Sequence, residues 1–276
     1  MRVICYASLE NRRAEHIAEA MSAGLRRHGV SVDVKGRFEG VVHGDIAVAY
    51  GWRNKHAFEA YRKNGGHYLY FDLGFWQRKP KTRRYEGYYK ASLDGWCPVK
   101  TMRRGCPSNR FDGMRLDVKP YRAGQTVLIA GMSGKSAYDH GYVPEQWERE
   151  KISEISEVTK REIVYRPKPS WTQATVLAGA SFDRGDGVEG SLARAHVLVT
   201  HHSNAAIDAA VEGVAVYCEL GIGTLFSTAE LSNLDAVKFL DDKARLSALY
   251  DTAYTQWSPA EMRTGECWAH YMELMK

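Results

Sequence analysis

Apolar residues along the chain fall into short uninterrupted runs, separated by stretches whose apolar positions repeat at helical spacing. Val3–Ala7, Val30–Val34, Asp45–Tyr50 and His67–Leu73 read as strands. Between the first two, Ile17, Ala20, Met21 and Leu25 line one face of a helix over 11–28, which Gly29 ends. A second helix over 55–63 stops at Asn64-Gly65-Gly66. Strands that alternate with helices imply a parallel sheet with right-handed crossovers. From about 74 to 122 the pattern becomes irregular, basic and broken by Gly and Pro. It resumes with strand Thr126–Ala130, a helix near Pro144–Thr159, strand Ile163–Arg166 and a helical tail from about Asp241. No internal repeat or low-complexity tract is present.

The most informative run spans 195–219. Val197-Leu198-Val199 is a buried-strand pattern that breaks into the polar knot Thr200-His201-His202-Ser203-Asn204. An apolar helix follows up to Gly213, then the strand pattern Val214–Tyr217. Ser203 or Asn204 is placed to cap the helix. A helix start at the carboxyl end of a parallel strand suits an anion, above all a pyrophosphate. Asn204, Asp208 and Glu212 are spaced i, i+4, i+8 and share one stripe. That stripe is either a solvated face or a place where a carboxylate takes ribose hydroxyls.

Charge adds a second theme. The chain of 276 residues carries a net charge of +5, unevenly spread. Arg78, Lys79, Arg83, Arg84, Arg103 and Arg104 crowd a stretch that also holds Trp76, Tyr88 and Tyr89. Basic and aromatic residues together grip a nucleic-acid backbone and stack on a displaced base, although a solvated basic loop has the same composition. No run approaches 18 apolar residues, so no membrane partner is expected. The amino terminus has no signal-peptide layout, and five scattered cysteines read as reduced thiols, so a cytoplasmic location is expected.

Several elements invite a chemical reading. Gly131-Met132-Ser133-Gly134-Lys135-Ser136 follows a strand, but Ile129 stands where a P-loop needs its first glycine. The turn instead lets backbone approach a phosphate or sugar through Gly131 and Ser133. Arg166, at a strand end beside Pro167-Lys168-Pro169, can fork across phosphate oxygens, with Lys168 adding a point charge. A structural arginine on a loop is the plainer alternative. His201 and His202 are adjacent, but no third ligand stands at helical or strand spacing, so no metal is expected. His202 is a candidate phosphate donor. Asp72 ends a strand and is the candidate catalytic base, with Asp94 in reserve; a turn-capping role is the alternative for Asp72. No second acid accompanies Asp72 as glycoside hydrolysis would require. No G-x-S-x-G elbow precedes Ser203, which disfavours a serine hydrolase.

Over about 160–220 the sequence resembles the donor-binding region of the two-domain glycosyltransferases of GT-B type. Within that class it is similar to small phage-encoded enzymes that glycosylate hydroxymethylated DNA bases. His202-Ser203-Asn204 stands where many members carry Gly-Gly. The resemblance implies an α/β fold of two Rossmann-like domains with a cleft between them. These would be an acceptor domain over 1–122 and a donor domain with its helical tail over 123–276. It also implies a nucleotide-sugar co-substrate, a UDP-sugar first, with no tightly bound cofactor and no indicated divalent metal. Asp208, then Glu212, would bind the donor ribose; Ser203, Asn204 and Arg166 would hold the nucleotide. The expected acceptor is a hydroxymethylated pyrimidine in double-stranded DNA. The alternatives are a cell-surface glycan as acceptor, or a non-catalytic nucleotide- or nucleic-acid-binding protein.

Overall fold

The apolar runs become the inner strands of two sheets in a computed structural model that describes residues 1–8, 11–51, 55–78, 86–185 and 187–276. In chain order the first part comprises β1 (Arg2–Tyr6), α1 (Arg12–Arg27), β2 (Ser31–Lys35), β3 (Ile46–Tyr50), α2 (Lys55–Lys63), β4 (His67–Leu73), β5 (Tyr89–Leu93) and the short α3 (Asn109–Asp112). The second comprises β6 (Thr126–Ala130), α4 (Gly134–Asp139), α5 (Gln146–Val158), β7 (Glu162–Arg166), β8 (Ser181–Phe182), α6 (Glu189–Arg194), β9 (Ala195–Thr200), α7 (Ala205–Val211) and β10 (Ala215–Cys218). The tail adds α8 (Asp242–Ala253), β11 (Gln256–Trp257), α9 (Pro259–Thr264) and α10 (Glu266–Leu274).

Contacts divide the chain into one unit of Met1–Met114 with Tyr250–Lys276, and another of Arg115–Leu249. This grouping differs from the expected division at 122 with the tail in the second domain. The tail packs in the first unit, because Trp257, Met262, Cys267, Trp268 and Tyr271 fill the same apolar cluster as Val3, Cys5, Val48, Leu69 and Phe71.

In the first unit the described strands form one sheet in the order β11-β5-β4-β3-β1-β2. Strands β1 to β4 run parallel, while β5 is antiparallel to β4 and β11 antiparallel to β5. One face packs on α1 and the tail; the other carries Ile4, Tyr6, Ala47, Ala49, Tyr68 and Tyr70 against Ala57, Phe58 and Tyr61 of α2. Covering both faces explains why β1 and β3 are apolar without alternation. The stretch expected to be irregular after 74 contains β5, all five residues of which are buried. Its Tyr89, Ala91 and Leu93 enter the core, a period-two pattern interrupted by the polar Lys90 and Ser92.

The second unit holds a parallel sheet in the order β10-β9-β6-β7-β8. Val127, Ile129, Val197 and Val199 pack against Trp147, Ile152 and Ile155 of α5. Strand β6 lies between β7, which follows it, and β9, which comes later. The chain therefore switches direction of winding at β6, and in open α/β sheets the crevice for a ligand forms at the carboxyl ends of such strands.

Candidate functional site

At the carboxyl edge of β6 and β9 two loops stand side by side. The first is Gly131–Ser133. Its Gly131 amide donates to the Arg166 carbonyl at 2.9 Å. A Cβ on Gly131 would lie 2.6 Å from the Tyr165 ring, so only glycine fits there. The Met132 amide donates to Glu148 Oε1 at 2.6 Å. Ser133 caps α4 by accepting from the Ser136 amide at 3.3 Å. A Cβ on Gly134 would collide with the Trp171 indole, which lies against the start of that helix.

The second loop is His201–Asn204. Thr200 donates to the Ala130 carbonyl at 2.9 Å and accepts from the Ser203 amide at 3.1 Å, which pins the ends of β9 and β6 together. Ser203 Oγ accepts from the Ala205 amide at 3.2 Å, while Asn204 makes no side-chain cap. His202 Nε2 lies 2.7 Å from Ser136 Oγ and so bridges the two loops. Of the expected donor residues, Gly131, Ser133, His202, Ser203 and Asn204 thus gather at one edge. Asp208 follows them on α7, half-buried.

The remaining donor candidates are engaged or apart. Arg166 is buried, its guanidinium donating to Asp183 Oδ2 at 2.8 Å, to the Gly185 carbonyl at 2.6 Å and to Ser191 Oγ at 3.2 Å. Burial raises the Asp183 carboxyl, but the Ser191 hydroxyl, the Gly185 amide and Arg166 outweigh it and hold its pKa below the usual 3.8. A phosphate reaching Arg166 would have to share those partners. Lys168 is exposed. Glu212, at the far end of α7, is paired with Lys119 at 2.6 Å.

Three imidazoles meet behind the second loop. His140, at the end of α4, joins His201 and His202 with ring centroids 4.7 to 5.0 Å apart. Sequence spacing did not find His140, because the sheet and not the helix period brings it there. Burial, then the neighbouring His140, lowers the His201 pKa below its usual 6.5, which keeps that ring neutral.

On the first unit, Asp72 ends β4 half-buried at the carboxyl edge. It accepts from the Tyr70 hydroxyl at 3.0 Å and from the Leu73 amide at 2.8 Å, and it pairs across the sheet with Lys90. Burial, then the Asp72 charge, raises the Tyr50 phenol at the end of β3. Asp94 stands at the opposite edge. Its carboxylate holds His67 Nδ1 at 2.6 Å and the Tyr68 amide at 2.9 Å, and its own backbone is left-handed at φ +53°. Asp94 therefore closes the turn after β5 and lies away from Asp72.

The aromatic acceptor candidates lie mostly in the core. Trp76 is 5% exposed against Phe111, and Tyr89 is 2% exposed against Tyr50, so neither presents a stacking face. Tyr88 is half-buried, and Arg78 is exposed. Arg103 pairs with Glu273 at 3.4 Å, and Arg104 lies 3.9 Å from Asp251. Lys79, Arg83 and Arg84 fall outside the described residues. No described helix is long and apolar enough to cross a membrane.

No protein-family model and no curated protein matches the chain. Among solved structures it is similar to the Thermosulfurimonas dismutans KpsC beta Kdo 2,4 transferase, at 14% identity and a TM-score of 0.54, covering 94% of this chain and 92% of that one. It is also similar to the KpsC beta Kdo 2,7 transferase of the same organism, at 11% identity and a TM-score of 0.52, covering 97% and 98%. The likeness is one of fold: a mixed α/β chain with two sheets.

Proposed function

We propose that this protein is a glycosyltransferase of GT-B type that moves a sugar from a nucleotide-sugar onto a hydroxyl group. One observation carries the reading. The switch point of the parallel sheet of the second unit gathers a glycine turn, two helix starts and the polar cluster Ser133, Ser136, His202 and Ser203 at one edge. Such an edge suits a nucleotide diphosphate. Asp208 on α7 would take the ribose hydroxyls. The fold likeness to two transferases supports the same reaction class. Asp72, at the corresponding edge of the first unit, would accept the proton of the acceptor hydroxyl.

For the acceptor, a glycan hydroxyl is favoured over a DNA base, because aromatic residues expected to shelter such a base are buried. A hydroxymethylated pyrimidine in DNA would need a flipped base sheltered by aromatic rings. Trp76 and Tyr89, expected to supply them, are buried. A gel-shift series on duplex DNA separates these readings, because phosphate binding falls steeply with salt.

The donor is tested by thermal shift with UDP, GDP, CMP and their sugars, followed by donor hydrolysis. One nucleotide class should stabilise the protein, by about 2.7 kcal/mol at 100 times its dissociation constant. Asp208→Asn should reduce that shift. If none of the nucleotides or their sugars raises the melting temperature or is hydrolysed, the donor reading fails.

A further inference from the structure

We propose that His140, His201 and His202 form a binding site for a divalent transition metal of the zinc class, with a coordination position left open. One ring nitrogen from each lies within 4.8 Å of those of the other two. Tetrahedral zinc with bonds of about 2.0–2.1 Å separates nitrogen ligands by roughly 3.3 Å. A spread of up to 4.8 Å lets the three nitrogens reach that separation by small rotations of the rings.

His202 Nε2 points at Ser136 Oγ, 2.7 Å away. His201 Nε2 lies 3.8 Å from Glu219 Oε2. Nδ1 of His201 and Nδ1 of His202 share a hydrogen bond, one donating and the other accepting, and a metal ion would displace that shared proton. The Ser136 hydroxyl is within hydrogen-bond distance of His202, and the Glu219 carboxylate is near enough to His201 to serve as the outer partner that orients a metal-bound histidine. Glu219 is itself held, accepting from the Trp147 indole at 3.0 Å and the Tyr217 hydroxyl at 3.1 Å, with Lys151 at 3.3 Å.

The ligand chemistry narrows the metal. Three imidazoles suit zinc, copper, nickel or cobalt, whereas magnesium and calcium prefer oxygen. Three protein ligands instead of four leave a place for water or a ligand oxygen. His140 and His202 are half-buried while His201 is buried, so the site is approachable from one side. The Cys218 thiol, 3.7 Å from the His201 carbonyl, is the nearby competitor for a soft metal. The proposal does not depend on glycosyl transfer.

The test uses untagged full-length protein stripped with a chelator, then titrated with Zn²⁺ and, separately, with Co²⁺. One equivalent of each should bind, and cobalt should show the visible absorption of a tetrahedral nitrogen site without a thiolate charge-transfer band. His140→Ala and His202→Ala, both at half-buried positions, should lose that spectrum while keeping the circular dichroism of the wild type. Cys218→Ser should retain it. Glu219→Gln should weaken zinc about 10–100-fold; unchanged affinity would remove Glu219 from the site. Absence of stoichiometric binding, binding that survives both histidine variants, or binding lost only in Cys218→Ser would overturn the assignment.

Discussion

The Glu148 carboxyl lies buried behind the Gly131–Ser133 turn and sets the turn's path by accepting the Met132 amide. Burial raises its pKa above the usual 4.5, only partly offset by that hydrogen bond. A carboxyl whose folded pKa is raised contributes stability below its unfolded value and loses it as pH rises through the folded value. Glu148→Gln keeps a carbonyl for Met132 and never ionises. Urea midpoints should therefore match the wild type near about pH 4 and exceed it increasingly toward about pH 7. Equal midpoints across that range would mean the buried carboxylate is fully compensated. The role of Asp72 is open to the same kind of substitution. Asp72→Asn should leave donor binding intact and lower turnover by about 10²–10⁴-fold, the range for a positioned general base. Activity within a few-fold of wild type would leave Asp72 as a turn cap.

Among the elements, α3 is only four residues long and owes its place to Arg110. The Arg110 guanidinium lies over the Trp257 ring at 4.2 Å, donates to Glu261 and to the Gln256 carbonyl at 2.6 Å each, and reaches the Ala253 carbonyl at 3.3 Å. It thus fastens α3 to the end of α8, β11 and α9. Removing one partner of such a largely buried pair strands the other charge. Arg110→Ala should cost about 3–5 kcal/mol in urea unfolding of the full chain. Arg110→Lys should restore little, since an ammonium cannot make the planar fork or lie flat on the indole. A loss below about 1 kcal/mol would show that the pair behaves as a surface one. Strand β5 teaches a related point. It falls in the stretch expected to be irregular, because Lys90 and the basic residues around it hide the apolar alternation of Tyr89, Ala91 and Leu93. Burial is possible there because Lys90 lies on the face away from the core residues Tyr89, Ala91 and Leu93, with its ammonium 5.9 Å from the Phe75 ring.

At the scale of the molecule, the second unit is one continuous segment, whereas the first closes only with the tail. A fragment of residues 115–249 should therefore unfold cooperatively by circular dichroism. Residues 1–114 alone should not, because Trp257, Met262, Trp268 and Tyr271 are missing from their core. A cooperative 1–114 fragment would contradict that account. Local pattern determined most of the strands and longer helices, since period two, period 3.6 and glycine stops are properties of neighbouring residues. It also marked the Thr200–Asn204 knot as the place where polar groups collect at a strand end. Tertiary structure alone decided which distant groups meet. It brought His140 to His201 and His202, turned Arg166 onto Asp183, buried Trp76 and Tyr89, and set Asp72 and Asp94 at opposite edges of one sheet. The physical reason is that strand order and helix packing fix long-range neighbours, and these depend on how whole apolar faces are covered rather than on any spacing along the chain.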